Sequence, residues 1–147
     1  MNYKLLHIIF VIVFLLLSCK SKEKFPEPGT VLQKWAHAIK QLNYALYKRC
    51  EKEPKTAPVF IAMYKPYYIK DIMVISVEDL KKSNTKNDDD GKYVLRKVEF
   101  ECTQVNRSTK RSFGIIRGTM DFVKYIDGHR KRDGWLMWNR TLVYLKK

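Results

Sequence analysis

The chain holds three cysteines and three histidines, and their spacing, more than their number, decides what chemistry they could do. Cys19 follows the small residue Ser18 at the polar end of an apolar run, Leu5–Leu17 (LLHIIFVIVFLLL), and is followed by Lys20-Ser21-Lys22-Glu23-Lys24. His7 lies inside that run, which leaves His37 and His129 far apart in the remainder. His37 falls off the apolar stripe of a helical segment, where a solvated imidazole is expected rather than a ligand or base. Cys50 and Cys102 form an even pair. In an oxidising compartment such a pair invites a disulfide between a helix end and a strand, and two small buried thiols in a core are the other outcome. Asp88-Asp89-Asp90 run into Gly91. A calcium loop would need regularly spaced ligands and a closing glutamate, which are missing here, so a solvated turn is expected. With no Gly-rich phosphate loop, metal-ligand cluster or nucleophile elbow, neither cofactor nor metal is expected.

The N-terminus reads as an export signal: one basic residue (Lys4), thirteen residues that are apolar except for His7, then a small residue and an abrupt charged stretch. A bilayer-spanning helix needs about 20 apolar residues, so the run is short for a span. Leu16-Leu17-Ser18-Cys19 resembles the lipobox of bacterial lipoproteins. The resemblance implies that diacylglycerol is attached to the Cys19 thiol, that the bond before Cys19 is cut, and that the new amino group is acylated. Two or three acyl chains of palmitate size hold a protein on a membrane, where one chain binds only reversibly. The chain then divides into a signal peptide (1–18), a lipidated tether (19–30) and a folded domain (31–147). In the tether, Pro26, Pro28 and Gly29 suit an extended stretch ending in a turn. Lys20 after the cysteine is not the aspartate that favours inner-membrane retention in some bacteria. The expected location is a cell membrane, with the outer membrane preferred, on the periplasmic or surface side.

The folded part must pack a core, because three Trp, seven Phe and nine Tyr cannot belong to a disordered tail. Val31, Trp35, Ala38, Ile39, Leu42 and Leu46 recur at helical spacing, which predicts a helix over about Val31–Cys50 with Thr30 as its N-cap. A short second helix is expected at Ala57–Lys65, closed by Pro66. Four strands are expected after it, at about 67–80, 92–106, 111–126 and 134–145, joined by the polar loop 81–91 and by two turns. Alternation puts Ile69, Asp71, Met73, Ile75 and Val77 on one face of the first strand. In the fourth it puts Leu136, Trp138, Arg140, Leu142 and Tyr144 together. Gly114 and Gly118 are candidate kinks or bulges. The expected fold class is α+β, one or two helices on a curved four-stranded antiparallel sheet.

That element order resembles the NTF2-like, cystatin-like group. The resemblance rests on the helix stripe from Trp35 to Leu46, the short helix before Tyr67-Tyr68-Ile69-Lys70-Asp71-Ile72, and the closing run Asp133-Gly134-Trp135-Leu136-Met137-Trp138-Asn139-Arg140. It implies a cone with a pocket at its open end. The enzymes of the group use an acid or base with a tyrosine inside the cone. Carried to this chain, the candidates are Asp71 and Asp121 with Tyr68 or Tyr125, and Trp138 as a pocket wall. Each aspartate has basic neighbours (Lys70; Lys124 and Arg117), and no pair has a spacing that demands catalysis.

A net charge of +14 is the remaining outlier. Basic residues cluster at Lys81-Lys82, Arg107–Arg111, His129–Arg132 and Lys146-Lys147. Such a surface attracts anionic partners. Export argues against nucleic acid and leaves anionic lipid, a cell-wall polymer or an acidic protein; a merely solvated lysine-rich surface is the alternative. The expected function is a membrane-anchored, non-catalytic binding or assembly module. Alternatives are a small-molecule pocket protein, an isomerase- or dehydratase-like proton-transfer enzyme using Asp71 or Asp121, and a homodimer formed through an apolar sheet face bearing Trp135 or Trp138.

Overall fold

A computed structural model describes residues 27–79 and 85–145. The expected signal peptide, Cys19, most of the expected tether, residues 80–84 of the polar loop and lysines 146–147 lie outside the described residues. The fold is α+β, with three α-helices followed by a five-stranded antiparallel sheet: α1 (Pro28–Gln41), α2 (Tyr44–Cys50), α3 (Ala57–Tyr64), then β1 (Tyr67–Asp79), β2 (Lys86–Asp88), β3 (Gly91–Asn106), β4 (Ser112–Tyr125) and β5 (Trp135–Leu145). The main sheet runs β1-β3-β4-β5, and short β2 pairs with the start of β3 on the β1 side.

The single helix expected over Val31–Cys50 is two helices. Leu42 takes a left-handed backbone (φ 53°), ending α1. Asn43 starts α2 by accepting the Leu46 N–H on its side chain at 3.0 Å. Asparagine suits both sides of such a break, since it caps well and competes with helical hydrogen bonds. α1 also begins earlier than expected. Pro28, whose fixed φ and missing N–H cost nothing in the first turn, opens it, and the Glu27 carbonyl accepts from Thr30 and Val31. Thr30 therefore sits inside the helix. The polar loop contributes a fifth strand, β2, that periodicity did not suggest.

Two cores lie on opposite faces of the sheet. The main one joins Leu32, Trp35, Ile39, Tyr47 and Phe60 of the helices to Val98, Phe100, Met120, Phe122 and Met137 of the sheet. A smaller one, with Tyr93, Leu95, Val123, Tyr125 and Leu136 and with Trp138 packed against it, is on the other face. Neighbours in sequence such as Phe122 and Val123 serve different cores, as strand alternation requires.

Bulges decide which side chains face the helices. β1 slips register between Lys70 and Met73, where Asp71 has φ 52°, and again between Val74 and Ser76. Each slip flips the parity of the residues beyond it. Ile69, Val74 and Val77 therefore pair with the inward-facing Gln104, Phe100 and Val98, while Met73 is 56% exposed. The face predicted for Ile69, Asp71, Met73, Ile75 and Val77 does not form. β5 slips between its Met120 and Phe122 partners, so Met137 and Arg140 face the helices while Trp138 packs on the other side. Gly114 sits beside a further slip with φ 138°. Gly118 is not a bulge; it lets β5 approach, since a Cβ there would lie 2.6 Å from Leu142 Cδ2 and 2.9 Å from the Thr141 carbonyl.

One side chain ties the helices to the sheet. Arg107, in the β3–β4 turn, donates to the carbonyls of Lys40 (2.7 Å), Ile39 (2.8 Å), Tyr67 (3.0 Å) and Tyr64 (3.3 Å). It thereby occupies the C-terminal ends of α1 and α3, where a cation is favoured.

Candidate functional site

A cavity of about 190 Å³ opens between the helices and the second half of β5. Trp35 from α1, Tyr64 from α3, Tyr67 and Ile69 from β1, Gln104 from β3 and Arg140 from β5 are among its walls. The elements explain the composition. The α1 stripe delivers Trp35 inward, and α3 turns Phe60 and Tyr64 onto Tyr47 with ring centroids 4.5 and 6.1 Å away. The β5 slip brings Arg140 onto the same side.

The polar centre of this region is Glu51, which follows α2 and is 3% exposed. One carboxylate oxygen accepts from Trp35 Nε1 at 3.0 Å and from Arg140 Nη2 at 2.6 Å. Arg140 reaches Tyr64 Oη at 3.4 Å and stacks 5.2 Å from the Trp35 ring. Burial pushes the Glu51 carboxyl above its usual range, and Arg140 and Trp35 only partly offset this. For Arg140, burial opposes the charge, yet Glu51 and Tyr64 hold it above its ordinary value. Burial also raises the phenols of Tyr47, Tyr64 and Tyr67. All three are neutral hydrogen-bonding groups near neutral pH. At the mouth, Tyr144 donates to the Gln104 side chain.

The sequence candidates lie elsewhere. Asp71 sits on the β1 bulge, 64% exposed, paired with Lys70 at 3.1 Å, and lines no part of the cavity. Asp121 pairs in register with Lys97, between Met120 and Phe122, and so faces away from the helices. Trp138 belongs to the second core, where Lys52 Nζ sits 4.0 Å from its ring centroid. Tyr125 donates to Asp88 at 2.9 Å in that same region. Tyr68 lies at the far edge, near Lys40, Arg107 and Lys110. Sequence reasoning missed Glu51, Tyr64, Gln104 and Arg140 as site residues. Arg140 carried a signal, as a lone cation in the aromatic and apolar strand β5; Glu51 carried none, since nearby Arg49, Lys52 and Glu53 disguise it as a surface residue.

Cys50 and Cys102 are buried free thiols, so no disulfide joins them. Cys50 Sγ donates to the Leu46 carbonyl at 3.3 Å within its own helix. Burial, with Glu51 adding to it at Cys50, raises Cys50 to about 11 and burial raises Cys102 to about 11. A thiol needs its thiolate to react. Both cysteines should therefore resist a maleimide at pH 8 in the folded protein and react fully in urea without reductant. Labelling of either in the folded chain, or protection that persists in urea, would contradict this.

Chemically, the site can bind but has little to move protons with. Its buried carboxylate is already held by two donors, and the neighbouring hydroxyls are neutral phenols. Compared with protein-family models, with curated proteins and with solved structures, the chain matches none of them.

Proposed function

We propose that this chain is an exported lipoprotein, anchored through Cys19, whose NTF2-like domain is a non-catalytic binding module with its ligand site in the cavity beside Arg140. One observation carries the binding reading: a cavity of about 190 Å³ walled by aromatic rings, with Arg140 at its edge and the adjacent Glu51 already engaged by Arg140 and Trp35. Ligand pockets are typically apolar and aromatic with a few placed polar groups. A small flat molecule with one anionic or carbonyl group suits these walls. The lipobox resemblance of Leu16-Leu17-Ser18-Cys19 carries the anchor.

Thermal unfolding of the full chain in neutral detergent, with indole and benzoate as probes, tests the cavity. A ligand that binds only the native state raises the unfolding midpoint with concentration. The expected result is a rise that Met63→Trp abolishes, because Met63 is an exposed wall residue and a larger side chain there fills the space. No rise with either probe, or an equal rise in Met63→Trp, would sink the reading.

Assembly through the sheet is a second reading, favoured by Met73, Ile115 and Val143, which are 56, 48 and 57% exposed on the face away from the helices. Trp135 is buried and Trp138 is packed against the second core, so neither supplies that surface. Sedimentation that stays monomeric across concentrations would remove it.

A further inference from the structure

The two ends of the sheet differ in how their charge is balanced. At the end where Glu27 enters, cations meet carboxylates: Arg96 with Glu27 at 2.6 Å, Lys52 with Asp88 at 2.9 Å, and Arg130 with Asp90 and Asp133 at 3.1 and 3.0 Å. At the opposite end, three cations surround one ring. Lys40 Nζ, Arg107 Cζ and Lys110 Nζ lie 5.9, 5.6 and 5.8 Å from the centroid of Tyr68. Lys65, which caps α3, and Arg111, whose carbonyl accepts from the Asn106 N–H in the same turn, extend the cluster. Among the described residues none of these five has a carboxylate partner, and Asp71 on the neighbouring bulge is taken by Lys70. A ring face offsets part of the repulsion among like charges, but an anion offsets more.

We propose that this end, with Lys40, Arg107 and Lys110 around Tyr68, is a docking platform for a phosphate-bearing polymer. The cations left available favour phosphate over carboxylate. The Arg107 fork, the group best matched to a planar carboxylate, is occupied by four backbone carbonyls. Lysine ammonium groups remain, and these act as point charges suited to a phosphate whose oxygens point in several directions. The choice of a polymer over a lipid headgroup rests on the anchor reading. The chain enters at Glu27, and the fourteen residues of α1 rise about 21 Å from that end to this one. If the tether leads away from the fold at Glu27, a lipid at Cys19 holds the opposite end nearer the bilayer.

Inorganic polyphosphate binding to the full chain in neutral detergent micelles tests the platform, whether or not Cys19 is acylated. The comparison is between Lys40→Gln/Lys110→Asn and Lys48→Gln/Arg49→Gln, which remove equal charge; asparagine at 110 suits the positive φ of 61° there. The platform variant should lose about tenfold or more in affinity and lower the slope of log affinity against log salt by about two, one for each lost phosphate contact. The control should change less than about twofold. Equal losses in the two variants, or no binding by the parent chain, would overturn the platform. Poly-glutamate binding as tightly as polyphosphate would overturn phosphate in favour of an acidic protein. Phosphatidylglycerol doped into the micelles and displacing polyphosphate at equal phosphate would overturn the polymer in favour of the membrane.

Discussion

Arg107→Ala should lower the stability of the protein by about 3 kcal/mol or more, the largest effect expected of any single truncation in the β3–β4 turn. The turn itself is secure without it, since the Asn106 side chain accepts from Ser108 and Thr109 at 2.9 Å each. What fails is the junction behind it. The guanidinium is the shared partner of four carbonyls from α1, from the end of α3 and from the start of β1. Truncation takes this donor from all four; Ile39 keeps the Leu42 N–H at 3.1 Å, and each of the others left buried and unmade costs about 1–3 kcal/mol. Arg107 Nε is itself buried without a partner, so the wild-type arrangement already carries one unmet donor. The remaining bonds must outweigh that cost. Arg107→Lys should recover only a small part, because one ammonium cannot span four divergent carbonyls as a planar fork can. Urea unfolding checks this. A midpoint lowered by more than about 1 M is expected, and a loss below about 1 kcal/mol would show that water replaces the guanidinium cheaply.

Arg140→Ala should be comparably damaging, and its effect should depend on pH. Removing one partner of a buried ion pair costs about 3–5 kcal/mol, because the other charge is left without compensation. Here that charge is Glu51, which is 3% exposed and would retain only Trp35 as a donor of those it has now. The sign comes from the raised carboxyl. A group whose folded pKa lies above its unfolded value favours the native state when protonated, so stability falls as pH rises from the ordinary value of 4.5 through the folded one. Without Arg140 the folded value rises further and the window widens upward. The variant should therefore lose most near neutral pH and approach the parent as pH drops towards 4.5. Replacing both partners, as Glu51→Met with Arg140→Met, should recover most of the loss, since an apolar pair of similar volume avoids the burial of charge. A penalty that is flat with pH, or a double variant no better than Arg140→Ala, would place the cost in lost packing against Trp35 instead.

The fold class and nearly every strand end were legible because hydrophobic periodicity and turn residues act locally. Pro66, Gly91 and Gly134 mark boundaries that hold to within a residue. The break at Leu42-Asn43 was less legible, because the apolar stripe runs through it unbroken and only the asparagine hints at a cap. The site was hardly legible at all. Its geometry depends on bulges in β1 and β5, and a bulge is a decision of the whole sheet rather than of the residues that form it. One extra residue in each of these strands sent Asp71 to solvent and turned Trp138 and Arg140, which simple alternation places side by side, to opposite faces. Glu51 illustrates the same limit. Nothing in Cys50-Glu51-Lys52 distinguishes it from a surface glutamate until β5 delivers Arg140 to it, 89 residues later.

The exposed cations were visible as clusters, but their balance was not. His129–Arg132 read as an uncompensated basic run, yet Arg130 meets Asp90 and Asp133 and His129 lies 3.2 Å from Asp90. The run Arg107–Arg111 looked similar and is different, with one arginine turned inward as a helix clamp and Lys110 gathered at Tyr68.

Cys19 remains the residue on which the place of this protein in the cell turns, and metabolic labelling with a palmitate analogue tests it most directly. Labelled protein that becomes unlabelled and soluble in Cys19→Ala is the predicted result; absence of label in the parent chain, or label that survives Cys19→Ala, would contradict the account.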